Sequence, residues 1–168
     1  MKKLFLILTL SALAFSSCED RKKDLSQQYD KLMEENDSIM AMHSEAQAMH
    51  DQMMSQNKQM SEQLMAAEMK DSSQLEILAA NEVILQKHEA MLNSHEELLT
   101  SHQTIKDGFD TKTEAEIEAQ IKEMRDNLDK IETENNTIQD EHDKMMRQQE
   151  DMMQRRTDTV NDSAKTNT

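Results

Sequence analysis

The sequence has no proline and no tryptophan, and only one glycine, one tyrosine and one cysteine among its 168 residues. Aromatic residues make up 2% of it. Tight hairpin turns need Gly, Asn, Asp or Pro at set positions. Sheets pack through β-branched and aromatic side chains. Gly and Pro are almost absent, and β-branched and aromatic residues are few, which excludes a many-stranded β fold. The Gly-rich loops that carry phosphate sites and nucleophile elbows are missing for the same reason. A lone cysteine excludes an internal disulfide and a Cys-rich zinc motif. Basic charge is also short: 19 Lys and Arg stand against 34 Asp and Glu, a net charge of −15. Nucleic-acid binding rests on basic patches that displace counterions, so no nucleic-acid partner is expected. Acidic pairs such as Glu34-Glu35 and Glu96-Glu97 read as solvated faces rather than a buried acid–base dyad. No enzymatic activity is expected.

What remains is rich in Ala, Glu, Lys, Gln, Leu and Met, the strong helix formers, with 16 methionines. Leu25, Leu32, Ile39, Ala46, Met53, Met60 and Ala67 recur every seven residues and form row d of a heptad pattern. Row a holds Tyr29, Asn36, His43, His50, Asn57 and Leu64. In a second segment, row d is Ile77, Ile84, Met91, Leu98 and Ile105, row e is Leu78, Leu85, Leu92 and Leu99, and row a is Asn81, His88, His95 and His102. In a third, row d is Ile117, Met124, Ile131, Ile138, Met145 and Met152, and row a is Ile121, Leu128, Asn135, His142 and Gln149.

In this reading the register slips by three residues near Asp71–Ser73, where Ser73-x-x-Glu76 offers a capping box. Asp107-Gly108 reads as a helix end with glycine at the C′ position. Thr111-x-x-Glu114 and Thr113-x-x-Glu116 offer capping boxes for the next start. The pattern predicts helices over 24–70, 74–107 and 113–154, in an all-α fold built as an antiparallel three-helix bundle of coiled-coil-like helices. A second reading is one long helix to residue 106 that folds back once or dimerises. The three segments also resemble one another: Asn36-x-x-Ile39-x-x-x-His43 matches Asn81-x-x-Ile84-x-x-x-His88 and Asn135-x-x-Ile138-x-x-x-His142. That suggests one helix type repeated around a shared core. Residues 155–168 are polar and aperiodic and read as a disordered tail.

The N-terminus follows a different logic. Met1-Lys2-Lys3 is a basic start, and Leu4 to Phe15 is an apolar run ending in small residues, the layout of a secretory signal. Phe15-Ser16-Ser17-Cys18 resembles the lipobox of bacterial lipoproteins, with Phe15 where the family usually has Leu. The resemblance implies a signal peptide over 1–17, lipidation (palmitate) at Cys18 and a tether over 18–23, ahead of the helical coiled-coil domain that the heptads give over 24–154. Acyl methylenes buried in a bilayer contribute about 0.8 kcal/mol each, so the membrane would be a partner through the lipid. Glu19 and Asp20 after the cysteine resemble the surface-export signals of Bacteroidota lipoproteins. They imply a cell-envelope location: in the outer membrane, on its periplasmic or surface face, by that resemblance, whereas in enteric bacteria similar residues retain a lipoprotein at the inner membrane. The helical part is similar to Met- and His-containing flavobacterial lipoproteins labelled "viral A-type inclusion protein", a likeness of pattern that implies no activity.

All six histidines fall on row a, between two apolar rows, and should point inward. Polar residues at a positions set register and partner number. That reading gives a structural or interaction module whose coiled coil meets a protein partner or a second copy of itself. The alternative is a Zn or Cu site, since imidazole binds both and thioether sulfur suits Cu(I). Two antiparallel pairings are open. One sets His50 against His95 and His43 against His102; the other sets His50 against Leu98 and His95 against Met53. The candidate ligands are therefore His43, His50, His95 and His102, with His142 expected far from them. The methionines on rows a, d and e read as flexible core filler.

Overall fold

The computed structural model describes the backbone of residues 2–66 and 72–166, and the side chains of 20–66 and 72–158. It holds three long helices, α1 (Lys2–Ala66), α2 (Ser72–His102) and α3 (Glu114–Thr166), and a 3₁₀ turn at Ile105–Gly108. No strand occurs among the described residues. The fold is an all-α three-helix bundle. α1 and α2 are separate, antiparallel elements, so the single long helix to residue 106 does not form. The Cys18 side chain and the 67–71 connection lie outside the described residues. No helix among the described residues is long and apolar enough to cross a membrane.

The helix ends are set by local bonds. Thr113 caps α3 as expected: its backbone N–H and hydroxyl both donate to Glu116 Oε2, each at 2.8 Å, and the Glu116 N–H donates back to Thr113 Oγ1 at 3.3 Å. This reciprocal pair satisfies donors that a helix start leaves unbonded. It also holds the Glu116 carboxyl below its ordinary value. Gly108 behaves differently from the expectation. α2 stops earlier, at His102, and Gly108 closes the 3₁₀ turn without a positive φ. Its N-terminal neighbours make turn bonds, such as Asp107 N–H to Thr104 O at 3.3 Å, so no left-handed cap is needed. The backbone of α3 stays helical through Thr166, across the stretch in which the sequence predicts no regular structure. Residues 155–158 of that stretch are all exposed, so the helix there rests mainly on local i→i−4 bonding, with one bond to α1 from Arg156 to Gln63 Oε1 at 3.3 Å.

The heptad rows of α1 and α3 pack largely as the sequence suggests: rows a and d are buried, except for the partly buried Ala46 and Met60 of α1, and the row-e methionines of α1 lie at the flank. α2 departs from it. Leu78, Leu85, Leu92 and Leu99, read as row e, are its most buried apolar residues, at 0–1% exposure, whereas Ile77, Ile84 and Leu98 are only partly buried. Counted from Leu64, these leucines continue row a without a break, and Asn81, His88, His95 and His102 continue row d. The register slip of three residues is thus absent. Antiparallel helices bring an a position of one level with a d position of the other, so a polar residue must change rows when the chain reverses to stay in its layer.

The chain divides into two compact units, Met1–Ala41 with Glu96–Glu132 and Met42–His95 with Thr133–Thr168. The first has an aliphatic core of Leu25, Leu32, Ile39, Leu99, Ile117, Ile121, Leu128 and Ile131. Tyr29 and Phe109 join it edge to face, with ring centroids 5.4 Å apart. The Tyr29 hydroxyl donates to His102 O at 2.8 Å, which satisfies an α2 carbonyl at the helix end. Burial pushes the Tyr29 hydroxyl above its ordinary pKa. The second unit packs methionine in place of much of the aliphatic core. Met53, Leu85 and Met145 form one cluster, and Leu64, Leu78 and Met152 another. Between such apolar layers it buries Asn, Gln and His.

Candidate functional site

Helices α1 and α3 present their a positions, and α2 its d positions, to the same layers. In the second unit this assembles His50, His88 and His142, exposed by 2%, 0% and 0%. The ring centroids are 5.0 Å apart for His88–His142, 5.6 Å for His50–His142 and 6.3 Å for His50–His88. One ring nitrogen from each lies within 4.8 Å of the other two. His88 Nδ1 and His142 Nε2 are hydrogen-bonded at 3.2 Å. On its other side, His88 Nε2 meets Glu141 Oε2 at 2.5 Å. An ionised carboxylate only accepts, so Nε2 of His88 carries the proton and Nδ1 turns a lone pair inward. His142 Nε2 then donates to it. His50 Nδ1 and His142 Nδ1 are buried with no hydrogen-bond partner among the described residues.

Burial disfavours the charged form of each ring, and the rings repel one another if more than one is charged. His142 is pushed down to about 4, first by desolvation and then by His88 and His50. His50 is lowered too, by desolvation and then by His88. His50 and His142 are therefore neutral at pH 7.

A second layer in the same unit sets His43 against His95 with centroids 6.0 Å apart. His95 Nε2 donates to Glu134 Oε2 at 2.7 Å. Further along, Asn57 Nδ2 donates to Leu78 O at 3.0 Å. In the first unit, His102 Nδ1 pairs with Asn36 Oδ1 at 2.9 Å, and Asn127 Nδ2 lies 3.5 Å from His102 Nε2. Those contacts require a neutral ring with the proton on Nδ1, and desolvation lowers the His102 pKa accordingly.

The four histidines singled out from the sequence thus fall in three places. His43 and His95 share one layer, His50 sits in the next, and His102 bonds to Asn36 in the other unit. His142, expected to be remote, is in the layer of His50. The reason is geometric. Relative to the pairing expected from row a, α2 stands one heptad over, so His50 meets His88 rather than His95. α3 runs parallel to α1 and brings His142 level with both. The internal repeat carries the signal: His43, His88 and His142 are equivalent in it, and two of these three are in the triad.

Met42, Met49, Asn135, Ile138 and Gln139 help line a cavity of about 160 Å³ that reaches His142. A water molecule occupies about 30 Å³ of liquid volume, so the cavity admits solvent or a small ion to the edge of the triad. No family model, no curated protein and no solved structure matches this chain.

Proposed function

We propose that the chain is a lipid-anchored helical module of the cell envelope, held at a membrane through Cys18 and serving as a structural scaffold or docking element for a protein partner or a second copy of itself. It carries out no catalytic step in this reading. The supporting observation is how closely the bundle follows the lipobox. Arg21, three residues beyond Cys18, pairs with Glu118 at 3.3 Å and with Glu114 at 3.8 Å. Lys22 Nζ donates to Phe109 O at 3.4 Å, and Leu25 is already core at 3% exposure. A lipid on Cys18 would join directly to a packed unit, so the headgroup plane and the bundle would be mechanically coupled. The net charge of −15 gives no attraction to anionic headgroups, which leaves the acyl chains to do the anchoring.

Labelled palmitate tests the anchor. It should enter the unaltered protein and not Cys18→Ala; equal labelling of the two overturns the reading. Protease treatment of intact cells then reports which face of the membrane carries the bundle.

A further inference from the structure

The geometry points to a zinc site formed by His50, His88 and His142, one ligand from each helix, with Glu141 as the carboxylate that orients His88. This is independent of whether Cys18 carries a lipid.

Zinc takes imidazole nitrogens at about 2.0–2.1 Å in tetrahedral geometry, which places neighbouring ligand nitrogens about 3.3 Å apart. His88 Nδ1 and His142 Nε2 already stand 3.2 Å apart. The third nitrogen, within 4.8 Å, closes the remaining gap by a ring rotation of His50, whose Nδ1 has no hydrogen bond to give up among the described residues. The ion would take the place of the proton between His88 and His142, and His142 would then carry its proton on Nδ1. Metal-ligating histidines characteristically donate their other N–H to a carboxylate, which fixes the tautomer and raises ligand basicity. Glu141 makes that contact with His88. A buried dication also needs compensating charge. Glu141 and Asp143 act electrostatically on His142, and Asp51 and Glu89 on His50. The cavity beside His142 supplies an approach and room for water as the fourth ligand.

A purely structural account explains the triad less well. Three imidazoles in one buried layer have more nitrogens than partners, and unpaired buried polar atoms are costly. A metal ion removes that mismatch for His50, whose partnerless Nδ1 would become a ligand. The layer of His43 and His95 has a carboxylate, Glu134, but Asn135 at the level where His142 would be, so it lacks the third imidazole.

The test uses the full chain in detergent micelles, stripped with chelator and reloaded with Zn²⁺ or Co²⁺. We expect one zinc per chain by mass spectrometry after dialysis, and with Co²⁺ the visible absorption bands of a four-coordinate site. His142→Leu should lose both. Glu141→Gln, altering a half-exposed side chain that does not threaten folding, should weaken binding about 10–100-fold. His95→Leu should bind as the unaltered protein does. Circular dichroism confirms that each variant is helical. The site is overturned if the unaltered chain retains no zinc, if folded His142→Leu binds as tightly, if Glu141→Gln has no effect, or if His95→Leu loses the metal equally.

Discussion

Acidification should loosen the metal-free bundle, and His142 sets the scale. In the unfolded chain a histidine titrates near 6.5, while in the fold His142 is held at about 4. The unfolded state therefore binds a proton that the folded state refuses. His142 contributes its stability in full above about pH 6.5, and the contribution is lost progressively as the pH falls from there to about 4. A tenfold weakening of proton affinity corresponds to about 1.4 kcal/mol, so the whole loss is about 3 kcal/mol, of which about 2 kcal/mol is gone by pH 5. His50 and His102 are lowered as well and act in the same direction. A loss of about 2 kcal/mol corresponds to about 4–8 °C in melting temperature for a chain of this size. The assay is thermal melting by circular dichroism between pH 7.5 and 5 with chelator present. Acid also relieves the repulsion within a chain of net charge −15, so the quantity to compare is the pH slope of the unaltered protein against that of His142→Leu. The slope of the variant should be shallower by about 2 kcal/mol across that range. Equal slopes would refute the claim that burial keeps His142 neutral.

Other substitutions probe the packing and the caps. Leu85→Ala removes a fully buried side chain from between Met53 and Met145 and should cost about 2–5 kcal/mol in denaturant unfolding; a cost below about 1 kcal/mol would mean that the neighbouring thioethers collapse into the space. Thr113→Ala removes one half of the capping box and should cost about 0.5–2 kcal/mol, with faster hydrogen exchange in the first turn of α3 as the local signature.

Much of this architecture is legible in the sequence. Seven-residue spacing identifies the buried faces of α1 and α3, and Thr113 with Glu116 marks the α3 start. The departures share one cause. A heptad labels a stripe, not the partner it meets, and Leu78 to Leu99 fall on row e only while α2 is treated apart from α1. Once the chain reverses, unbroken counting from Leu64 puts leucine on a and histidine on d. The expected grouping of His43, His50, His95 and His102 depends on where the hairpin turns, and an offset of one heptad separates its members. Row spacing alone carries no information on that offset, because it repeats every seven residues. His142 is misplaced for the same reason, since the level reached by α3 depends on the length of the 103–113 connection.

The methionine core of the second unit has a consequence for chemistry outside the fold. Oxidation converts a thioether to a polar, chiral sulfoxide, which a close-packed apolar layer cannot accommodate. Met53 and Met145 are exposed by only 1% and 2%, but Met54, Met60 and Met146 are partly buried at the edges of the same clusters, and Met65 and Met153 are open at 55%. Peroxide would therefore consume the outer sulfurs first and reach the central pair only as local opening admits it. The first unit, built on leucine and isoleucine with Met124 as its one fully buried thioether among the described residues, offers far less to oxidise. Oxidation would thus reach the outer methionines before the layers that hold the histidines.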